Sequence, residues 1–400
     1  MSRLSVVKNV SDFYSVFGQI VLLLLIQVGG LGVMAVATLV FLAMRKKISY
    51  GERLMMQHAL SADTNEGVVR AMRRLVAVTF IIEGAGFIAL LPEMIGAFGA
   101  GGIFRALFVS VSAFCNAGIQ NLGGEGMPVF SKSVSVLLSI SFCAVLGGLG
   151  FAAIVDILFK KFRYRKFSLH TRLVLTVTGL LLLFGTAVVL GCEYRNPATL
   201  GGMGFGGKLL NAFFLATNAQ STAGFDTVRI GDLTDASRFV LIFLSAVGAS
   251  PGSTGGGIKT ATLAILVICA FSGSGADGTV SYGKRKISRE TILRAVGVAC
   301  FSLALMFVGT LALLLTESGN TQIQSLYNLE NILLETTSAW TTAGLSTGMT
   351  PYLSAGGKLL LIVLMFVGRM GPITLMMAFG RNANGNGPRI DYADAHILIG

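Results

Sequence analysis

NLENILLETTSAWTTAGLSTGM, residues 328–349, decides how the rest of the chain is read. It opens as a short, partly apolar helix pattern and closes in a run of Thr, Ala, Gly and Ser. It is too short to cross a bilayer, which takes about 20 apolar residues. Yet a long apolar span precedes it at 295–315 and another follows at 359–379. A short helix plus extended backbone between two spans reads as a re-entrant loop. Non-helical backbone is tolerated at that depth only where it is buried in protein or lines a water-filled path. The design occurs twice more, as AFCNAGIQNL at 113–122 and NAQSTAGFDTV at 218–228. Each copy holds A-G followed by an apolar residue: Ala117-Gly118-Ile119, Ala223-Gly224-Phe225 and Ala343-Gly344-Leu345. Three such loops in one chain imply a permeation path.

Composition agrees. Of 400 residues, 53% are hydrophobic and only 12% charged, with a mean hydropathy of +0.75. A soluble domain carries about 25% charged residues, so the chain reads as a polytopic membrane protein. No polar block is long enough to build a separate soluble core. A net charge of +12 raises the question of nucleic acid. The basic residues, however, cluster in short loops between apolar spans, where the positive-inside rule puts them, and no nucleic-acid partner is expected. The five cysteines, Cys115, Cys143, Cys192, Cys269 and Cys300, form no C-x-x-C, and the three histidines have no metal-ligand spacing. Neither a disulfide framework nor a zinc site is supported. No cleavable signal peptide is evident, because the first apolar span is long and lacks a small-residue cleavage site.

Seven spans are expected, at 17–44, 68–91, 133–159, 170–190, 239–271, 290–315 and 357–379. Lysines and arginines crowd the loops after the first, third and fifth of them, while the A-G loops are poorer in both. The basic loops are then cytoplasmic, the A-G loops face outward and the C-terminus is cytoplasmic. The recurring unit is span, short helix, A-G loop, span, found at 68–159, 170–271 and 290–379. The second spans are expected to break at glycine: Gly29 to Gly32, Gly147 to Gly150, Gly248 to Gly257, and Gly368 to Gly371. Repetition on this scale sets the architecture. The expectation is an all-α polytopic membrane protein with pseudo-fourfold repeats around a central pore, here three and a half repeats. Residues 1–47 would be a remnant of the first unit, 48–160 the second, 161–272 the third, and 273–400 the fourth.

The loops suit a monovalent cation, whose hydration shell can be replaced by rings of backbone carbonyls. Aiming successive carbonyls at one axis needs dihedrals that glycine adopts at little steric cost. The partly negative C-terminal ends of the short helices would favour a cation in the same place. The candidate filter is therefore Asn116, Ala117 and Gly118, then Thr222, Ala223 and Gly224, then Thr342, Ala343 and Gly344. A lone A-G is no more than an ordinary turn. Three copies, each after a short helix and between spans, favour a filter.

SAFCNAGI, STAGFDT and TTAGLSTGMTP, with SPGSTGGGIKT and VGRMGPITL, resemble the Trk/Ktr/HKT superfamily of potassium transporters. The resemblance runs the length of the chain and is greatest to the Ktr membrane subunit. It implies one subunit folding four helix–pore–helix units around a single K+ path in the cytoplasmic membrane. It also implies a homodimer seated on a cytosolic nucleotide-binding regulatory ring. No cofactor would be bound by the chain itself; K+ is the transported ion, with Na+ as a modulating or coupled one.

GASPGSTGGGIK, residues 248–259, lies inside the fifth span. It misses a phosphate loop by one residue, since Ile258 separates Gly257 from Lys259, and no strand pattern precedes it. A broken helix whose backbone lines a cavity at mid-membrane depth is the better reading. By resemblance, Gly252, Ser253, Thr254, Gly255, Gly256, Gly257 and Lys259 form an intramembrane gate beneath the filter. The bland alternative is a glycine kink for helix packing.

Glu83, Asp156, Lys259 and Arg369 sit within or beside spans, and charges there are functional candidates by default. Arg369 is read as a fixed cation below the filter that opposes K+ and anchors the gate, in preference to a partner for Glu83 or Asp156. Those two carboxylates are read as structural. Glu335 is expected to brace the last short helix, and Trp340, the only Trp, to pack behind its loop.

The first unit lacks its leading span and short helix, and where the resemblance places a filter stand Ser2, Arg3 and Leu4. The expectation is a start internal to a longer reading frame. The leading function is K+ uptake through a gated, carbonyl-lined pore. The alternative is a non-conducting remnant or structural subunit that only dimerises and binds the ring. A membrane-embedded enzyme would need a convergent nucleophile and base, paired carboxylates or a metal cluster, and none is found.

Overall fold

The structure is a computed structural model, and it describes residues 10–31, 68–124, 126–160, 163–271, 280–282 and 285–370. Helix α1 spans Val16–Leu31, α2 Val68–Phe98, α3 Gly102–Phe114, α4 Val134–Gly148, α5 Phe151–Phe159 and α6 Leu169–Glu193. They are followed by α7 Phe205–Gln220, α8 Asp235–Val247, α9 Thr260–Phe271, α10 Arg289–Glu317, α11 Leu329–Trp340 and α12 Ala355–Met370. Among the described residues the fold is helical, with one small hairpin in the basic loop before α10, where Val280–Tyr282 pairs antiparallel with Arg285–Ile287.

Among the described residues, three stretches are long and apolar enough to cross a membrane: Arg73–Phe114, Leu169–Glu193 and Arg289–Glu317. The first of them runs from within α2 to the end of α3. The span expected at 133–159 breaks within Gly147 to Gly150, as its glycines imply, into α4 and α5, bent by 99°. Gly150, at φ 85°, supplies the bend, a conformation that favours glycine. The span expected at 239–271 is two helices, α8 and α9, because Gly248 at φ 65° ends the first. Helix α1 runs unbroken through Gly29 and Gly30, and α12 through Gly368. Breaks expected at Gly32 and Gly371 lie outside the described residues, as do Ser2, Arg3 and Leu4.

One order of elements occurs three times: a long helix, a short helix that doubles back along it, an A-G loop, and a further helix. Ser110 of α3 donates to the Glu83 carbonyl of α2 at 2.6 Å. Thr310 of α10 and Thr336 of α11 share a 2.8 Å hydroxyl bond. Helix starts are written in the sequence: Ser133, Ser168, Thr234, Ser288 and Asn328 each accept a backbone N–H from the first turn of the helix they cap. Apolar packing divides the same way, around Phe108, Phe114 and Leu137, around Leu215, Leu241 and Leu244, and around Ile332, Leu361 and Leu364. Between helices in lipid the hydrophobic effect is absent, so close packing and polar contacts must hold the groups together. Asn211 of α7 donates to the Ser131 carbonyl at 2.8 Å, joining the first group to the second. Arg238 of α8 donates to Asn331 of α11 at 2.9 Å and pairs with Glu330 at 3.1 Å, joining the second to the third.

Candidate functional site

The three short helices α3, α7 and α11 end in one shared way. The N–H groups of Ala117, Ala223 and Ala343 each donate, at 2.9 Å, to the carbonyl five residues back, of Ser112, Asn218 and Ser338. Those of Asn116, Thr222 and Thr342 donate to Ala113, Ala219 and Ala339 at 3.1–3.2 Å. This is the Schellman arrangement, whose left-handed residue is usually glycine. Here Asn116, Thr222 and Thr342 occupy it at φ 49°, 54° and 55°. A β-branched residue is an outlier in that region, so the packing around Thr222 and Thr342 must hold them there. All three residues are buried.

Two residues on, Gly118, Gly224 and Gly344 also have positive φ, at 66°, 81° and 78°. These glycines bring the loops together. A Cβ on Gly118 would strike the Ala223 carbonyl oxygen, and one on Gly224 would strike that of Ala343. Loop thus meets loop in chain order, backbone to backbone, at the C-terminal ends of three helices. Nine residues named from sequence, Asn116 to Gly118, Thr222 to Gly224 and Thr342 to Gly344, form one structure.

The segment 252–257 threads directly against these helix ends. Thr254 accepts from the Asn116 amide at 2.9 Å and donates to the Phe114 carbonyl at 3.2 Å. Gly256 donates its N–H to the Thr222 hydroxyl at 2.9 Å. A Cβ on Gly256 would fall on the Thr341 carbonyl, so only glycine permits this approach. The segment therefore touches all three loops, and residues 254–257 are buried. Ser253 donates to the Ser250 carbonyl at 2.6 Å, and Gly252 accepts from the Phe151 N–H at 3.0 Å, tying the segment to the bend between α4 and α5.

Two cations hold it. Lys259, at φ 92°, donates to the Gly255 carbonyl at 2.6 Å and sits 3.4 Å from that of Gly256. Arg369 donates to the Thr254 carbonyl and to the Gly29 carbonyl of α1, each at 2.6 Å. Its partners here are carbonyls; Glu83 and Asp156 are engaged elsewhere. Glu83 accepts from Gln27 at 3.1 Å and from the Cys115 thiol at 3.8 Å. Asp156 pairs with Lys160 at 2.5 Å and accepts the Ser168 N–H at 2.8 Å.

On the far side of the loops lies a cavity of about 610 Å³, with Gly344, Asp226, Asp232, Ser346 and Thr347 in its walls. Glu335 shapes one of them. Its carboxylate accepts from the Ser346 hydroxyl at 2.5 Å, the Thr347 N–H at 3.0 Å and the Thr350 hydroxyl at 2.9 Å. Trp340 is buried behind the same loop.

Sequence reasoning missed a pair of carboxylates. Glu193, the last residue of α6, accepts from the N–H and hydroxyl of Thr234 and from Asn196 and Thr199. Glu317, the last residue of α10, accepts from the N–H and hydroxyl of Ser354 and from Asn320. Glu193 fastens the end of α6 to Thr234, the cap of α8, and Glu317 fastens the end of α10 to Ser354, directly before α12. The signal was present as E-x-x-N at corresponding places, 193–196 and 317–320.

A family model described as "TrkH: Cation transport protein" matches residues 1–384. The Ktr system potassium uptake protein B of Bacillus subtilis is 35% identical over 402 aligned residues, covering 100% of this chain and 87% of that protein. The potassium/sodium uptake protein NtpJ of Enterococcus hirae is 34% identical, covering 98% of this chain and 85% of that one. Among solved structures, the potassium transporter TrkH from Vibrio parahaemolyticus superposes with a TM-score of 0.57 over 82% of this chain and 68% of that one. At 18% identity that likeness shows a shared fold alone.

Proposed function

The chain belongs to the TrkH family of cation transport proteins, and from that footing we propose that it takes up K+ through a filter of backbone carbonyls closed by an intramembrane loop. The observation that carries this reading is the meeting of the three A-G loops. Gly118 and Gly224 abut the carbonyls of Ala223 and Ala343 in the next loop, and each of the three loops leaves its helix through a left-handed residue at the same place. Backbone carbonyls converging at the negative ends of three helices offer a dehydrated cation both ligands and field. Asn116 to Gly118, Thr222 to Gly224 and Thr342 to Gly344 are the residues proposed to line it.

The gate is assigned to residues 252–257 with Lys259 and Arg369. Held by hydrogen bonds against the helix ends, the segment stands across the inner mouth of the filter and must move for an ion to pass. Seven spans in a pseudo-fourfold arrangement, a multi-pass place in the cytoplasmic membrane and a cytoplasmic C-terminus complete the reading. So do a homodimer on a cytosolic nucleotide-binding ring and Na+ as a modulating or coupled ion. Relatives named as potassium and potassium/sodium uptake proteins support the choice of ions.

The test is expression of the full chain in a bacterial strain stripped of its own K+ uptake systems, with growth followed as external K+ is lowered. Rescue at low K+ is expected. Membrane insertion and complex formation without rescue would favour the non-conducting structural subunit.

A further inference from the structure

A groove runs down the outside of the helices at the seam between the first and second groups. It encloses about 690 Å³ and is almost wholly apolar, with Leu138 of α4, Leu183 and Leu190 of α6, and Leu209 and Phe213 of α7 in its walls. The wall from Leu182 to Leu190 follows about 12 Å of helix axis. At one end it opens into a second hollow that shares Ala187 and Leu190 with it and is closed by Tyr194 and Arg195.

That end is cationic. Arg195 is exposed and has no ion pair among the described residues. Lys132, two residues before the groove residue Val134, is exposed too. The Asn211 bond to the Ser131 carbonyl holds Lys132 beside α7. Lys208 lies 4.0 Å from the Tyr194 ring and donates to the Tyr194 carbonyl at 2.6 Å, fixing an amphipathic ring at the junction of apolar groove and polar end. The Glu193 carboxylate beside Tyr194 is consumed by Thr234, Asn196 and Thr199, and Asp232 lines the cavity next to Gly344.

We propose that this seam is a binding site for one anionic phospholipid, an acyl chain lying in the groove and the phosphate meeting Arg195 and Lys132. A diacyl lipid matches both halves of the site, an apolar trough about as long as a leaflet's acyl chain is deep and, at its mouth, two cations with no ion pair among the described residues. The inference rests on the chain's place in the membrane and is independent of the filter and the gate.

The experiment is native mass spectrometry of the purified full-length chain after incubation with equal amounts of phosphatidylglycerol and phosphatidylcholine. Wild type is expected to retain phosphatidylglycerol in preference. Arg195→Gln and Lys132→Gln should each lower that retention about fivefold, and together abolish the preference. Gly206→Leu supplies a separate, steric test. A Cβ at Gly206 meets nothing within 4 Å, so the side chain is accommodated by the fold while it fills the groove. It should lower retention of both lipids. Equal retention of the two lipids by wild type, or unchanged retention in Gly206→Leu, would overturn the proposal. So would a Leu183→Cys variant that forms a disulfide between two copies in native membranes, since the groove would then be covered by a second chain.

Discussion

The guanidinium of Arg369 donates a 2.6 Å hydrogen bond to the carbonyl of Thr254, 115 residues earlier in the chain. Its other terminal nitrogen reaches the Gly29 carbonyl of α1, so one side chain couples α12, the segment 252–257 and α1. Charge-assisted hydrogen bonds contribute about 1.5–3 kcal/mol each. Arg369→Ala should therefore shift the loop's held-to-released ratio by a factor of about ten or more. K+ uptake should rise or escape regulation. An unchanged rate in flux assays would remove Arg369 from the gate.

Thr222 gives a subtler handle on the same contact. Its hydroxyl accepts the Gly256 N–H, and both groups are buried. Thr222→Val keeps the shape and leaves that N–H without an acceptor, at about 1–3 kcal/mol. The loop should be held less tightly and uptake should increase, whereas Thr222→Ser should behave as wild type. Equal rates for the Val and Ser variants would show that the hydroxyl holds nothing.

Glu335 braces the outer side. With Glu335→Ala, the Thr347 N–H and the Ser346 and Thr350 hydroxyls lose their acceptor. The third loop should loosen, and discrimination of K+ over Na+ should fall. The ratio of K+ to Na+ uptake measures it, and an unaltered ratio would confine Glu335 to a structural part.

Glu193 and Glu317 make the opposite prediction. Their hydrogen bonds go to residues outside the A-G triplets, so Glu193→Ala and Glu317→Ala should each destabilise the fold by about 3 kcal/mol. Selectivity of the protein that still folds should be unaffected. Thermal unfolding in detergent and ion-uptake ratios on the same preparations separate the two effects. Altered selectivity with intact stability would mean that these carboxylates act on the pore.

Much of this arrangement was legible in the sequence. The A-G triplets marked the loops because glycine at a repeated place between spans signals backbone that must be special. The glycine run at 252–257 likewise announced a broken helix. What stayed hidden depended on contacts far apart in the chain. Thr222 and Thr342 gave no sign of left-handed backbone, since β-branched residues avoid it and only the surrounding packing imposes it. Arg369 was weighed against carboxylate partners, yet it bonds to carbonyls, which every residue carries and no sequence pattern marks. The break at Gly147 to Gly150 was marked by its glycines, but its 99° angle was not, because an apolar run reads the same whether straight or folded. Glu193 and Glu317 were overlooked because each lies just beyond the end of an expected span, at 190 and 315, although E-x-x-N repeated in register.

The central claim is that the converging A-G loops are the path of the ion. Gly344, at φ 78°, has a backbone that a β-branched residue cannot adopt without strain. The most direct measurement is K+ flux into liposomes holding equal amounts of correctly inserted wild type or Gly344→Val. The account predicts K+ entry for wild type and none, or entry without preference over Na+, for the variant. Flux of the same rate and selectivity in both would contradict it.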